Sequence, residues 1–312
     1  MPLWKVKQYK VKQVEECTIG IVGMGLMGGA IALALRNRCN VAQDKVLACD
    51  INENVLALAE QAGLIAKGFA IGKASGLAGE MLAACDVVFL CIGPAALITF
   101  LEQWEHSFKT GALITDIAGV KGTVAAKAEQ FRADIDFIPG HPMAGAEGGG
   151  FAGAARCDFR GKNYILTPLA RNKPENLAFL KDLIHRMVFG RITEVDAIEH
   201  DRKIAFTSQL CHVLAAALID CEPDTSITRF GGGSFEDFTR IAMLNAPMWA
   251  ELFTANHAAL LERVNQFENS LDALKALIQN GETAELEQRL YRVRERRAQL
   301  ESSSSKPTIA SS

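Results

Sequence analysis

A glycine-rich segment near the N-terminus constrains the fold of this chain more than any other feature of its sequence. Cys17 to Val22 form an apolar, β-rich run, and the spacing Gly-x-Gly-x-x-Gly follows it directly. The segment consists of Gly23, Met24, Gly25, Leu26, Met27 and Gly28. The small residues of 26–36 then predict a helix. In such a strand–turn–helix unit, the first glycine permits the turn, the second lets phosphates approach the backbone, and the third lets the helix pack on the strand.

An acidic residue at the end of the next predicted strand supports a dinucleotide site. Asp50 ends the run Val46–Asp50, about 20 residues beyond the glycines, as this kind of site requires. A carboxylate there accepts hydrogen bonds from ribose hydroxyls and repels a 2′-phosphate, while the helix N-terminus faces the pyrophosphate. The sequence therefore predicts that the glycine segment and Asp50 bind NAD rather than NADP. The alternative is a glycine-rich turn that binds no cofactor.

The residue pattern changes once along the chain, near Val195. Before it, short apolar strands alternate with helices, which is typical of a parallel sheet covered on both faces. The later candidate strands are 86–91, 112–116, 136–138 and 163–166. After it, apolar residues recur at helical spacing over 197–221, 235–244, 247–279 and 283–301. We expect an α/β domain over 17–195 with a parallel-sheet core, an all-α domain over 196–301, an N-terminal extension over 1–16 and a disordered tail over 302–312.

Composition excludes several classes of function. The 312 residues carry 33 Lys+Arg against 36 Asp+Glu, so no basic surface for nucleic acid is expected. The 8 Cys include no C-x-x-C pair and no zinc-ligand spacing, which favours reduced thiols and no metal site. The charge-free run 87–101 is too short to span a membrane, and no signal peptide is recognisable. We expect a cytoplasmic protein with no nucleic-acid or membrane partner.

A histidine segment supplies the candidate for acid–base chemistry. His141 lies in the stretch 139–150, which is rich in glycine and follows a late strand of the predicted sheet, where α/β proteins place ligand-facing loops. Because glycine and proline flank it, the sequence predicts that His141 lies on a turn. An imidazole with a pKa near neutrality suits a general base beside a nicotinamide. A purely structural histidine is the alternative.

Three further side chains are candidates for binding a ligand. His212 lies in an apolar helix and Arg240 follows the triple glycine 231–233, and an arginine fork binds carboxylates in a bidentate manner. The alternatives are a satisfied core histidine and a surface ion pair. Lys121 follows a predicted strand end and is either a site residue or an ordinary exposed lysine. The remaining histidines are predicted to lie on surface or helix faces: His106, His185, His200 and His257.

Taken together, these segments resemble the prephenate/arogenate dehydrogenase family of tyrosine biosynthesis. They occur in the order typical of the family: 23–28, Asp116, 120–122, 140–147, His212, 231–233, 237–240 and 247–249. The resemblance implies a Rossmann domain followed by an all-α domain that forms an intertwined homodimer, in a 6-phosphogluconate-dehydrogenase-like arrangement. Neither a chorismate mutase domain nor a tyrosine-sensing domain is expected in these 312 residues.

The resemblance also implies roles for individual residues. It makes His141 the catalytic histidine, Arg240 the arginine that binds a substrate carboxylate, and His212 a second substrate contact. Glu147 matches an acidic residue that helps to organise the entrance of the pocket.

Gly119 departs from the family pattern, because the family usually has a serine there that supports the substrate hydroxyl and the catalytic histidine. Gly119 and Lys121 are therefore counted with the substrate site. Water could replace the serine hydroxyl in that contact. If instead Gly119 has a positive φ, glycine is required there by the backbone conformation. The comparison with the family's serine then says nothing about catalysis.

The implied reaction is the oxidative decarboxylation of prephenate to 4-hydroxyphenylpyruvate, with hydride transfer to NAD⁺. Arogenate is an alternative substrate. A β-hydroxyacid dehydrogenase is an alternative enzyme, with Lys203 as its catalytic lysine, although that interpretation leaves the His141 segment unexplained. An NAD-binding regulator without turnover is the alternative from a different class.

Overall fold

The computed structural model describes residues 13–72, 77–146 and 149–304. Most of the predicted N-terminal extension and the tail beyond residue 304 lie outside these ranges. The chain divides into two compact units, Met1–His257 and Ala258–Ser312. The domain boundary predicted at 195/196 therefore does not coincide with the division into compact units, and it stays a prediction.

A six-stranded sheet forms the centre of the first unit, in the order β3-β2-β1-β4-β5-β6. Every neighbouring pair in it is parallel, so the predicted parallel sheet is confirmed. Its strands are β1 (Ile19–Val22), β2 (Val46–Asp50), β3 (Lys67–Ala70), β4 (Val87–Leu90), β5 (Leu113–Asp116) and β6 (Asp136–Phe137). The strand order reverses between β1 and β4, and ligands bind beyond the carboxyl ends of strands at such a point.

Helices cover both faces of this sheet, as the continuous apolar strands predict. Side chains of β1 alternate between the faces: Ile21 belongs to one buried apolar cluster and Val22 to the other. The helices that connect the strands are α1 (Leu26–Arg38), α2 (Glu53–Gln61), α3 (Leu77–Ala84), α4 (Pro94–Trp104) and α5 (Gly122–Glu129). The predicted Rossmann architecture of the N-terminal part is thus confirmed.

A second, three-stranded sheet follows, in the order β7-β8-β9. It consists of β7 (Gly140–Pro142), β8 (Asn163–Leu166) and β9 (Arg191–Glu194), with α6 (Pro174–Arg186) between the last two. The expectation that 163–166 belongs to the main sheet was wrong, and so was the expectation that His141 lies on a turn. A Cβ at Gly140 would lie 2.8 Å from the Tyr164 ring, so this glycine lets β7 pair closely with β8.

The residues after β9 are helical, and 195–304, which are all described, contain no strand. In the first unit these helices are α7 (Ala197–Ile204), α8 (Leu210–Asp220), α9 (Gly233–Thr239) and α10 (Ala246–Ala255). The helices α11 (His257–Gln279) and α12 (Thr283–Ser304) form nearly all of the described part of the second unit. None of the described helices is long and apolar enough to cross a membrane.

Two helices predicted as continuous are interrupted. The π-helical turn Ala205–Gln209 separates α7 from α8, and Asn256 separates α10 from α11. The side-chain amide of Asn256 donates to the side-chain oxygen of Gln209 at 2.7 Å and to the carbonyl of Asp201 at 2.9 Å. Both amides are buried. A buried amide requires hydrogen-bond partners, and this pair finds them where the helical pattern breaks.

Candidate active site

The glycine segment connects β1 to α1 and has the geometry of a phosphate-binding loop. Gly23 has a φ of 90°, and a Cβ there would lie 2.7 Å from the carbonyl oxygen of Cys91. A Cβ at Gly28 would lie 1.9 Å from the carbonyl oxygen of Gly23. A Cβ at Gly25 would meet no atom within 4 Å. The first and third glycines thus allow close packing, and the second borders open space that suits a pyrophosphate.

Asp50 lies beside this loop at the carboxyl end of β2. Its carboxylate accepts hydrogen bonds from the backbone N–H of Met24 at 2.6 Å and of Asn52 at 2.8 Å. Each carboxylate oxygen has a second lone pair, so both can still accept from a ligand hydroxyl. The structure therefore brings together the residues predicted to bind a dinucleotide.

His141 belongs to a chain of hydrogen bonds that starts on β7. Its Nδ1 lies 2.9 Å from Nε2 of His200, which comes from α7. Nδ1 of His200 lies 2.8 Å from Oδ1 of Asp201. The prediction that His200 lies on the surface was wrong, because the residue is only 1% exposed. The neighbouring Asp201 was the signal in the sequence, since a His–Asp doublet supplies an imidazole together with a carboxylate partner.

The carboxylate of Asp201 is itself fixed by backbone groups. It accepts from the N–H of Lys121 at 2.7 Å and from the N–H of Gly122 at 2.8 Å. These donors lie at the start of α5, where backbone N–H groups have no partner within the helix. The positive end of the helix dipole also favours a carboxylate at this place.

The side chain of Lys121 is fully buried and forms an ion pair with Asp116 at the end of β5. Asp116 also accepts from the N–H of Ala118 at 2.9 Å and of Gly140 at 3.1 Å. Asp116 thus joins the end of β5 to the strand that carries His141, and the ammonium of Lys121 compensates its buried charge. This burial argues against the substrate contact expected for Lys121, since its ammonium has an exposure of 0%.

The surroundings favour the neutral form of both histidines. Burial lowers the pKa of His141 well below its ordinary value, and the neighbouring His200 and the Lys121 ammonium lower it further. Burial also lowers the pKa of His200, although its hydrogen bond to Asp201 opposes that shift. A neutral imidazole has a lone pair with which it can accept a proton. The arrangement can therefore act as a base.

Gly119 lies beside the imidazole of His141. A Cβ at Gly119 would lie 3.8 Å from Nε2 of His141 and 3.1 Å from Cδ2 of Leu252 on α10. Gly119 has no positive φ, so the condition under which its backbone would require glycine is not met. Nε2 of His141 therefore lies near Gly119, and a larger side chain there would press against Leu252.

The helix α10 connects His212 to this region. The His212 ring stacks on Trp249 with centroids 3.7 Å apart, and its Nδ1 lies 2.9 Å from the carbonyl oxygen of Ser208. Trp249 lies three residues before Leu252, so the two share a face of α10. A carbonyl can only accept, so Nδ1 carries the proton of the neutral ring. Nε2 of His212 is left to contact a ligand.

The remaining predicted site residues have less defined surroundings. Arg240 is exposed in the 3₁₀ turn Arg240–Ala242, which packs beside α8. Glu147 lies outside the described residues. The side chain of Lys203, the catalytic lysine of the alternative enzyme, is 69% exposed and pairs with Glu199 at 3.0 Å. The described residues contain no cluster of three or more metal-ligating side chains.

Comparison with known proteins identifies the family. A family model described as prephenate dehydrogenase, nucleotide-binding domain, matches residues 31–192. A second, described as prephenate dehydrogenase, dimerization domain, matches residues 196–292. Prephenate dehydrogenase of Bacillus subtilis is 28% identical over 276 residues, which cover 86% of this chain and 72% of that protein.

Solved structures agree with this result. Prephenate dehydrogenase of A. aeolicus, in complex with hydroxyphenyl propionate and NAD⁺, has a TM-score of 0.78 and 27% identity, covering 90% of this chain and 97% of that one. Arogenate dehydrogenase of Synechocystis has a TM-score of 0.74 and 27% identity, and the match covers 90% of this chain and 99% of that one. The resemblance inferred from the motifs is confirmed: the chain belongs to the prephenate dehydrogenase family.

Proposed function

We propose that the protein is an NAD-dependent prephenate dehydrogenase of tyrosine biosynthesis. It converts prephenate and NAD⁺ to 4-hydroxyphenylpyruvate, carbon dioxide and NADH. The observation that carries the proposal is the placement of His141, whose pKa is lowered by burial, beside Gly119 at the carboxyl edge of the sheet. Gly23 follows the carboxyl end of β1 and Gly119 follows that of β5, and the order β1-β4-β5 places the two strands on either side of β4.

The cofactor-binding residues fit NAD. The backbone of the glycine segment, from Gly23 to Gly28, holds the pyrophosphate in front of Gly25, and the N-terminus of α1 faces its charge. Asp50 binds the ribose hydroxyls and repels a 2′-phosphate. When bound, NAD⁺ accepts a hydride at C4 of its nicotinamide. The protein's share of the chemistry lies in orientation and in proton transfer.

His141 is the general base in this proposal. Its Nε2 takes the proton of the ring hydroxyl as the hydride leaves the same carbon, so that a carbonyl forms. Carbon dioxide then leaves the opposite ring carbon, and its bonding electrons make the ring aromatic with a phenolate oxygen. His141 returns the proton to that oxygen, so the reaction releases and consumes no proton overall. Aromatisation makes the sequence of steps effectively irreversible.

The substrate is held by residues of the helical region. Arg240 binds a carboxylate, His212 contacts the side chain of the substrate, and Glu147 organises the entrance. The ring hydroxyl lies beside Gly119, next to Nε2 of His141, alone or with a water. Lys121 contributes its positive charge from beneath the site, without touching the substrate.

Arogenate is the second candidate substrate, supported by the similarity to the Synechocystis arogenate dehydrogenase. Arogenate carries an ammonium where prephenate carries a keto group, and the reacting ring is the same. His141 and Gly119 would act on either compound. The choice therefore depends on the contacts of the side chain, among which we place His212.

Membership of the prephenate dehydrogenase family also supports proposals on the oligomeric state of the protein and its cellular location. The protein acts as a homodimer through its helical domain, supported by the match to a dimerization domain. Large apolar side chains exposed in this region agree, including Leu218, Phe230 and Met243, because exposed apolar patches mark association surfaces. We place the enzyme in the cytoplasm, since the cysteines of the described residues are free thiols.

The test is NADH absorbance with prephenate, arogenate and 3-hydroxyisobutyrate offered separately with NAD⁺. We expect NADH from prephenate at the highest kcat/KM. Turnover of arogenate alone would replace prephenate with the second candidate. Turnover of 3-hydroxyisobutyrate alone, or of none of the three, would contradict the proposed function.

A further inference from the structure

We propose that His200 and Asp201 are positioning residues for proton transfer. They hold His141 in the tautomer whose Nε2 is unprotonated, and they stabilise its imidazolium while it carries the substrate proton. The inference deepens the proposed function and rests on His141 as the base. It assigns roles to two residues outside the set predicted from the sequence.

The hydrogen-bond chain fixes each tautomer in turn. The carboxylate of Asp201 has no hydrogen to donate, so the 2.8 Å contact requires that Nδ1 of His200 carry the proton. Nε2 of the neutral His200 then has only a lone pair. The 2.9 Å contact between the rings therefore requires a proton on Nδ1 of His141. Its Nε2 is left unprotonated, on the side that faces Gly119.

The hydrogen-bond chain from His141 ends on backbone N–H groups rather than on a mobile side chain. Both oxygens of Asp201 are held, Oδ1 by the N–H of Lys121 at 2.7 Å and Oδ2 by the N–H of Gly122 at 2.8 Å. The carboxylate can therefore not rotate without losing hydrogen bonds at the start of α5. The fixed carboxylate orients the ring of His200, and the ring of His200 in turn orients that of His141.

The charges around the chain suit a transient imidazolium. The carboxylates of Asp116 and Asp201 face the ammonium of Lys121, and both imidazoles are neutral, so the cluster has one negative charge in excess. Uptake of the hydroxyl proton by His141 makes the cluster neutral. The Nδ1–H of the resulting imidazolium keeps its acceptor on His200. A preorganised acceptor of this kind stabilises charge that develops during the reaction.

The kinetic test compares three variants with prephenate and NAD⁺. His200→Phe removes the acceptor for Nδ1 of His141, and we expect kcat to fall at least about tenfold, because the imidazolium loses a hydrogen bond made by a charged group. KM for prephenate and Kd for NAD⁺ should be unchanged. His200→Gln offers an amide oxygen to the same Nδ1–H and should recover most of the loss. Lys203→Gln is the matched control, because Lys203 lies one turn after His200 on α7 and its side chain is exposed. This variant should keep the wild-type kcat.

A spectroscopic measurement on the unmutated enzyme makes the test independent of variant folding. In ¹⁵N-histidine-labelled protein, NMR should show the ring proton of both His141 and His200 on Nδ1. The two rings are assigned from the spectra of His141→Asn and His200→Gln.

A proton on Nε2 of His141 would overturn the inference, and so would a folded His200→Phe enzyme with the wild-type kcat. Wild-type enzyme that forms no NADH from any cyclohexadienol would instead contradict the proposed function. The tautomer measurement would still decide the placement of the protons.

Discussion

The imidazole of His141 lies among groups from three directions. His200 contacts it from α7 and is backed by Asp201, the charge of Lys121 acts on it from the start of α5, and Lys121 is paired with Asp116 at the end of β5. Burial is the largest influence on the pKa of His141, and it favours the uncharged ring. The neighbouring cation acts in the same direction. These influences together keep the base ready to accept a proton at neutral pH.

A pH prediction follows from this lowered pKa. Only the neutral ring can accept the hydroxyl proton, so kcat/KM for prephenate should stay on its plateau at the ordinary imidazole pKa of about 6.5. It should fall only below that pH, as the His141–His200 pair takes up a proton. Initial rates between pH 5 and 9 measure the profile, with Kd for NAD⁺ as the control. An acid limb centred at or above about pH 7 would contradict the assignment.

Gly119 offers a second test at the residue scale. A serine there would carry its hydroxyl near Nε2 of His141, and a neutral hydrogen bond is worth about 0.5 to 1.5 kcal/mol. We expect Gly119→Ser to leave kcat/KM unchanged or to raise it by at most about tenfold. Gly119→Ala is the matched control, because its Cβ meets Leu252 in the same way but lacks the hydroxyl.

Steady-state kinetics and melting temperatures of both variants distinguish the outcomes. Serine better than alanine at equal stability would support a contact between the hydroxyl and the reacting groups. Equal losses of activity in both variants would show that Cδ2 of Leu252, 3.1 Å from the added Cβ, cannot give way.

At the scale of elements, Asp116 joins β5 to β7 by accepting from the N–H of Gly140, and its ion pair with Lys121 compensates the buried charge. Lys121→Met leaves the carboxylate of Asp116 buried without its cation, and breaking a buried pair costs about 3 to 5 kcal/mol of unfolding free energy. Lys109→Met is the control, because Lys109 pairs with Asp86 at 2.7 Å but its side chain is 40% exposed. That exposed pair should be worth at most about 1 kcal/mol.

Chemical denaturation of the two variants measures the difference. A much lower denaturation midpoint for Lys121→Met than for Lys109→Met is expected. Equal midpoints would mean that the buried pair stabilises the folded protein no more than the exposed pair does.

The helices and strands that could be predicted from the sequence are those whose residue patterns are local, that is, formed by residues close together in the chain. The glycine segment, the strands before it and after it, and the first helix depend on residues close in sequence. The second sheet does not, since β7 is three residues long, contains glycine and proline, and pairs with β8 about 20 residues further on. The π-helical turn Ala205–Gln209 likewise has no periodicity that distinguishes it from α-helix.

The same distinction applies to the site. Gly23 to Gly28 and Asp50 could be predicted, because their roles follow from spacing around a strand and a turn. His200 could not be assigned, because its contact with His141 spans 59 residues and depends on how α7 packs against α5. The burial of Lys121 also depends on that packing, and sequence alone gave an exposed lysine as an equal alternative.

At the scale of the whole molecule, the exposed apolar side chains of the helical region predict association. We expect a solution mass of twice the 33.8 kDa of one chain. Phe230 is 84% exposed, and replacing an aromatic interface anchor costs about 2 kcal/mol or more. Phe230→Asp should therefore weaken the dimer by about thirtyfold or more.

Light scattering coupled to size exclusion, over a series of concentrations, measures the mass. Leu58→Asp is the matched control, because Leu58 is an exposed apolar residue of α2 in the nucleotide-binding region. This control should remain dimeric. A monomeric wild-type protein, or dimers equally weakened by both substitutions, would contradict assembly through the helical domain.

The most direct test of the central claim is the turnover of His141→Asn with prephenate and NAD⁺. An asparagine keeps a polar group at the end of β7 but cannot take up the hydroxyl proton. Kd for NAD⁺ should be unchanged, since the glycine segment and Asp50 are untouched, and kcat should fall by about 10² to 10⁴, the usual contribution of a general base. A folded His141→Asn enzyme with a kcat near that of the wild type would contradict the account.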